Sequence, residues 1–242
     1  PRSRGLGDVY KRQHLLMSVS ELSTSTQNYL KAIWGLKEWS SEPVTATLIA
    51  KQLGLKLSSV SDAVRKMAKQ GLVSHTPYGS VELTELGRQY ALVMVRRHRL
   101  LESFLVQALG YTWDEVHNEA ENLEHAVSDM LIERVDKFLD YPTRDPHGDP
   151  IPTVDGQITI PSAHRLTDSG AQSQVTVERI SDSDPQLLKF LEERGIVTGA
   201  VLSTREGAPF SDSLEIQVAG GTQWVVLGRP ATDAVFVAHH NL

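Results

Sequence analysis

The sequence predicts a mainly α protein with a small β component: an N-terminal winged helix-turn-helix, a helical middle domain and a small C-terminal β-barrel. Three observations carry this. Two short helical periods meet at Gly54 and are followed at once by two alternating segments around Pro77-Tyr78-Gly79. A long helical stripe and two further helical faces fill the chain up to about Leu139. From Gln174 onward the period switches to two, in short segments.

In order along the chain, residues 1–16 show neither period and stop just before Met17, so they are expected to be a non-native, disordered leader of translated-vector type. They carry Arg2, Arg4, Lys11 and Arg12 against Asp8, and without them the formal charge of −6 becomes −9. Ser23, Thr24 or Ser25 caps a first helix ending near Lys37, with Tyr29, Leu30, Ile33, Trp34 and Leu36 on its apolar face. Thr45 to Leu53 is a short helix closed by Gly54, and Leu57 to Lys69 a second one with Val60, Val64 and Met67 facing inward. Hydroxyls at a helix start also serve as ordinary caps. The hairpin that follows, Leu72 to Thr76 and Ser80 to Leu83, turns the segment into a winged helix. Thr84 caps a long helix reaching Gly110, and another is expected from about Trp113 past His125. A further face follows with Val127, Met130, Leu131, Val135, Phe138 and Leu139. This apolar surplus points to a twofold dimer interface, an ordinary internal core being the alternative. The Pro- and Gly-rich run Arg144 to Pro152 opens a linker reaching about Gly170, in which turn polarity is the better account of His147 and Asp149. Five strands and a helix from Pro185 to Glu193 then form the small barrel. The expected domains are 17–91, 92–155 and 173–242, with 156–172 as linker.

With 40% hydrophobic and 22% charged residues among 242, the chain can bury an ordinary core. The longest uninterrupted apolar stretch, Tyr90 to Val95, is far short of the roughly 20 residues of a bilayer span, so a soluble, cytoplasmic protein without a membrane partner is expected. Cysteine is absent, which excludes disulfides, thiolate metal sites and thiol nucleophiles. Charge is uneven: residues 45–100 carry nine Lys/Arg against three acids, whereas residues 101–160 carry thirteen acids against three. A basic face beside a cation-binding region fits this pattern, and solvated helix faces fit it equally well.

The acidic region holds the chemistry. His117, Glu121, Glu124 and His125 follow the spacing i, i+4, i+7, i+8, which spans about 100° of a helix. His98 and Glu102 repeat the i, i+4 pair on the preceding helix, so two neighbouring helices offer imidazole and carboxylate to one cavity. A chance coincidence of common surface residues is the alternative. Such a donor set suits Mn(II) or Fe(II), with Co(II), Ni(II) and Zn(II) as substitutes in vitro. No nucleophile, phosphate loop or dinucleotide fingerprint is present, and no enzymatic reaction is assigned.

From about Leu22 onward the sequence resembles the diphtheria-toxin-repressor family of metal-dependent transcriptional regulators, above all its manganese-responsive actinobacterial branch. The winged helix, Val95 to Glu102, His117 to His125 and Asp145 to Pro152 carry the resemblance. It implies a homodimeric, metal-activated repressor with a helical metal-binding and dimerisation domain and an SH3-like (FeoA-like) C-terminal domain, binding a palindromic double-stranded DNA operator. It also implies that His98, Glu102 and His117 serve one metal site and Glu121, Glu124 and His125 another. Glu121 stands where the iron-responsive branch usually has cysteine, which favours Mn(II). Asn28 stands where the family places Met or Asp, and Lys31 where some manganese-type members have a carboxylate. Asp184 and Gln186 fall where the family draws accessory ligands. On the DNA face, Lys56, Ser58, Ser59 and Ser61 are the expected base or groove contacts, Lys66, Tyr78 and Ser80 the phosphate contacts, and Asp62 an acceptor for a cytosine amine. Rival readings are an Fe(II)-responsive repressor of the same family, a metal-binding carrier or enzyme without metal-gated DNA binding, and a regulator indifferent to metal.

Overall fold

In the computed structural model, which describes residues 19–75 and 79–239, the chain divides into two compact units. The first runs to Arg96 and adds Val154–Gly156; the second comprises Arg97–Thr153 and the chain from Gln157 onward. The expected leader 1–16 and the expected phosphate contact Tyr78 lie outside the described residues.

In the first unit, α1 (Thr24–Glu38), α2 (Ala46–Leu53) and α3 (Leu57–Lys69) precede a hairpin of β1 (Val73–His75) and β2 (Val81–Leu83). The termini follow the local chemistry. The Ser23 and Thr45 hydroxyls each accept a 3.3 Å hydrogen bond from a first-turn N–H, and Gly54 ends α2 at φ 64°, a left-handed position that suits a residue without Cβ. Val60, Val64 and Met67 bury the inner side of α3 against Leu30, Ile33 and Ile49, as their spacing predicts. The hairpin pairs Val73 with Leu83 and His75 with Val81.

Thr84 caps α4 (Glu85–Leu109) by accepting from the Gly87 N–H at 3.1 Å, and its hydroxyl donates to Gly71 O at 2.6 Å. Gly87 needs its bare Cα, because a Cβ there would stand 1.9 Å from Leu72 O.

In the second unit, the end of α4 packs with α5 (Trp113–Leu123) and α6 (Asp129–Phe138) around Leu100, Leu101, Leu105, Val116, Ala120, Ile132 and Val135. The helix expected to run past His125 ends at Leu123. Glu124 to Ala126 form a turn, and Ser128 accepts from Leu131 N–H to start α6.

The remaining elements are β3 (His164–Arg165), β4 (Gln174–Ile180), α7 (Pro185–Glu192), β5 (Val201–Glu206), β6 (Ser213–Val218), β7 (Val225–Gly228), α8 (Arg229–Ala234) and β8 (Val235–His239). The strands form one antiparallel sheet in the order β3-β8-β4-β5-β6-β7. A bulge between Val177 and Arg179 shifts the register of β4, so Val175, Val177 and Ile180 all reach the core. The stretch read as linker is not featureless: it supplies β3, and Leu166 in a short 3-10 turn is fully buried in the sheet core.

Candidate metal centre

The sequence places His98 and Glu102 one turn apart on α4 and His117 and Glu121 one turn apart on α5; packing of these helices brings the side chains together. His98 Nε2 lies 2.9 Å from Glu102 Oε1, and His117 Nδ1 lies 3.3 Å from the same oxygen and 3.3 Å from His98 Nε2. Asp182, from the turn after β4, places Oδ2 3.1 Å from His117 Nδ1. His98 Nδ1 lies 2.6 Å from Glu124 Oε2, and the ligand atoms of His98, Glu121 and Glu124 form a second group. His125 follows in the turn, with Nε2 3.4 Å from Glu124 Oε1.

These separations fit a first-row divalent ion. Adjacent donors about 2.1 Å from one octahedral ion stand about 3 Å apart, and His98, Glu102, His117 and Asp182 already show 2.9 to 3.3 Å between neighbouring donor atoms. Two ring nitrogens converging on one carboxylate oxygen need a proton or a cation among them.

The electrostatics agree. Burial favours a neutral Glu102, yet the charge of His98 and hydrogen bonds from His117 and His98 hold its carboxyl well below the usual carboxylate range. Burial also favours a neutral His117, but hydrogen bonds to Asp182 and Glu102 push it up to about 10. Asp182 is held below its usual range, its burial outweighed by the His117 imidazolium. Without metal, a proton on His117 therefore neutralises part of this cluster.

Arg97, fully buried on α4, donates to the Glu124 carbonyl at 3.4 Å and pairs with Asp129 at 2.6 Å, which fixes the turn bearing Glu124 and His125.

The segment Arg144 to Pro152 departs from its sequence reading. Asp145, His147 and Asp149 are buried rather than solvated turn residues. The Asp145 carboxylate accepts from the N–H groups of His147 and Asp149, each at 2.9 Å, and Ile180 N–H donates to His147 O at 2.9 Å. Gly148, at φ 94°, lets the turn pass β4, where a Cβ would stand 2.1 Å from Glu178 O. Burial, together with the Asp149 and Glu102 carboxylates, pushes the Asp145 carboxyl well above its usual range.

The structure does not bring Asp184 and Gln186 into the donor cluster. Asp184 is the N-cap of α7, accepting from the N–H groups of Gln186 at 2.9 Å and Leu187 at 3.2 Å, and both Asp184 and Gln186 are exposed. The carboxylate at the cluster is Asp182, two residues earlier. An Asp immediately before a helix-initiating Pro185 is a cap signature that distinguishes the two. Asn28 lies on α1 in the other unit, with Oδ1 buried and lacking a hydrogen-bond partner.

On α3 and its approach, Lys56, Ser58, Ser59, Asp62 and Lys66 are exposed and Ser61 is half-buried. Lys56 is the helix N-cap residue, so the free N–H groups of the first turn open toward solvent beside its amine. Asp62 pairs with Arg65, an exposed cation that the sequence reading passed over. On the wing, the Ser80 hydroxyl donates to Glu82 at 3.3 Å.

Comparison with known proteins accounts for the three parts. Residues 21–81 match the family described as the iron dependent repressor N-terminal DNA binding domain, residues 84–153 the iron dependent repressor metal binding and dimerisation domain, and residues 164–239 the FeoA domain. The iron-dependent repressor IdeR of Mycobacterium tuberculosis is 35% identical over 194 residues, covering 75% of this chain and 84% of that protein. The diphtheria toxin repressor of Corynebacterium diphtheriae is 36% identical over 137 residues, or 57% of this chain and 60% of its own. Among solved structures, a manganese-dependent transcriptional repressor in complex with manganese is similar with 47% identity and a TM-score of 0.85, over 89% of this chain and all of that one. ScaR with bound zinc is similar with 31% identity and a TM-score of 0.76, over 89% of this chain and 99% of its own. The chain belongs to the diphtheria-toxin-repressor family of metal-dependent transcriptional repressors.

Proposed function

We propose that this repressor is activated by Mn(II) and binds a palindromic operator as a homodimer in the cytoplasm. One observation carries the choice of metal: the donors that converge are imidazole nitrogens and carboxylate oxygens, in a chain without cysteine, and such a set suits Mn(II) better than a soft ion. His98, Glu102, His117 and Asp182 would hold one ion, and Glu121, Glu124 and His125 another. A bound divalent ion supplies the positive charge that Glu102, Glu121 and Glu124 lack when left to repel one another.

The chain's own part is to hold these donors on α4 and α5, to release the His117 proton, and to present α3 for major-groove contact through Lys56, Ser58, Ser59 and Ser61. Lys66, Tyr78 and Ser80 contact phosphates, and Asp62 accepts from a cytosine amine unless Arg65 retains it. For two such reading heads, Met130 and Phe138, exposed by 62% and 65% in the single chain, supply an apolar dimer face on α6. Switching from about 1% to about 99% competent requires a differential affinity of about 5.5 kcal/mol, within reach of two divalent ions in carboxylate sites.

Fluorescence anisotropy tests this, using an operator selected from random duplexes and titrations with Mn(II), Fe(II) under anaerobic conditions, and Zn(II). Mn(II) at cellular concentration is expected to tighten binding at least a hundredfold. Equal affinity with and without metal refutes metal gating, and tightening by Fe(II) alone favours the iron-responsive reading that the name of the 35% identical relative supports.

A further inference from the structure

The cation that follows Asp62 on α3 occupies the same strip of helix as residues assigned to the groove. At about 100° per residue, Ser58, Asp62, Arg65 and Lys69 fall within about 60° of one another, on the side opposite Val60, Val64 and Met67. Those three are buried in the core of the first unit, and the other four are exposed. The strip therefore points directly away from the core. Lys66 lies to one side of it, from where an amine reaches a phosphate rather than the groove floor.

Within the strip, Arg65 Nη2 donates to Asp62 Oδ1. Both side chains are 70% exposed, and an ion pair so well solvated contributes little to stability, so it does not serve the fold. Its effect is on charge and aim. A bare carboxylate on a groove-facing strip is repelled by DNA phosphates, whereas one paired with a guanidinium is neutral. The pairing uses one acceptor and one donor. Asp62 Oδ2 and the other four N–H groups of Arg65 have no partner among the described residues.

We infer that Asp62 and Arg65 act as one reading unit for a single C·G pair in each half-site, with Arg65 a specificity-determining contact. In the major groove such a pair presents, side by side, the cytosine amine donor and the guanine O6 and N7 acceptors. The unit offers the complement in the same order: a carboxylate oxygen for the amine and a guanidinium fork for O6 and N7. A T·A pair in that place sets thymine O4 against the carboxylate and the adenine amine against the guanidinium, so both contacts turn repulsive. The inference rests on operator binding through α3 and is independent of which metal activates the protein.

Operator selection from random duplexes, run on the full chain with Mn(II), Fe(II) or Zn(II) and followed by anisotropy on single-pair substitutions, tests it. The unmodified protein is expected to require one C·G pair at the same place in each half-site. Arg65→Ala should lose about tenfold or more on that operator and relax the preference at that pair, while the other positions stay as selective as before. Arg65→Lys restores the charge without the fork, so its salt slope should match the parent while the preference stays lost. After Asp62→Ala, the change Arg65→Ala should cost far less than in the parent, and additive losses overturn the unit. If Arg65→Ala weakens all sequences alike and lowers the salt slope by about one, Arg65 is a phosphate contact and the inference is overturned. Unchanged affinity makes it a solvated ion pair and overturns it too. An unmodified protein that selects no sequence with any of the three ions overturns the operator reading and this inference together.

Discussion

Metal binding at His98, Glu102, His117 and Asp182 should remain proton-coupled well above the pH at which an ordinary histidine has already lost its proton. Burial pulls the His117 pKa down, but Asp182 and Glu102 win and push it up to about 10 from 6.5. A metal held through Nδ1 must displace that proton. Because the folded-state value is raised, the stabilisation of the metal-free protein by the imidazolium is fully present below pH 6.5 and is lost as pH climbs through about 10. Metal affinity therefore moves the other way. It rises about tenfold per pH unit for one displaced proton, and it keeps rising past neutrality, where an unperturbed imidazole would give a plateau. The His117 side chain is 35% exposed, so solvent screening trims this window from its upper end. Titration calorimetry with Mn(II) from pH 6.5 to 8.5, in two buffers of different ionisation enthalpy, measures both the affinity slope and the protons released. Asp182→Asn removes the 3.1 Å partner and should flatten the slope. A Kd in the unmodified protein that stops changing above pH 7, with no proton reaching the buffer, refutes the reasoning.

Three further outcomes are expected. Glu121→Ala should abolish the Mn(II)-dependent gain in operator affinity while size-exclusion chromatography still shows a dimer; full retention of the gain removes Glu121 from the ligand set. Lys66→Ala should reduce the slope of log affinity against log salt by about one while leaving sequence preference intact, and an unaltered slope takes this amine off the phosphate backbone. Gly148→Ala places a Cβ 2.1 Å from Glu178 O at φ 94°, so it should cost about 2 kcal/mol or more in thermal unfolding; a melting temperature equal to that of the parent contradicts the packing described.

Wherever period and end signals coincide, the sequence was readable. Thr45 and Gly54 bracket α2, Val60, Val64 and Met67 mark one face of α3, and Thr84 opens α4, because each signal is local and acts on its own helix. The His98/Glu102 and His117/Glu121 pairs were visible for the same reason. The end of α5 was not, since Leu123-Glu124-His125 contains neither glycine nor proline, and Ser128 is the only strong start signal nearby. Asp182 and His147 were hidden by a different cause. Each lies in an irregular segment, where no period distinguishes a buried side chain from a solvated one. They come beside His117 and Glu102 respectively only because the turn at Gly148 and the strand β4 pack together. Leu166 likewise looks like part of a linker until the sheet closes over it.

The sulfur-free donor set has a chemical consequence. Peroxide and electrophiles find thiolates, and a centre assembled from His98, Glu102, His117, Asp182, Glu121 and Glu124 offers them none. With Mn(II) as the proposed activator, its readout of ion supply would be insulated from thiol-directed oxidation, whereas Fe(II) held by the same donors would itself be oxidised by peroxide.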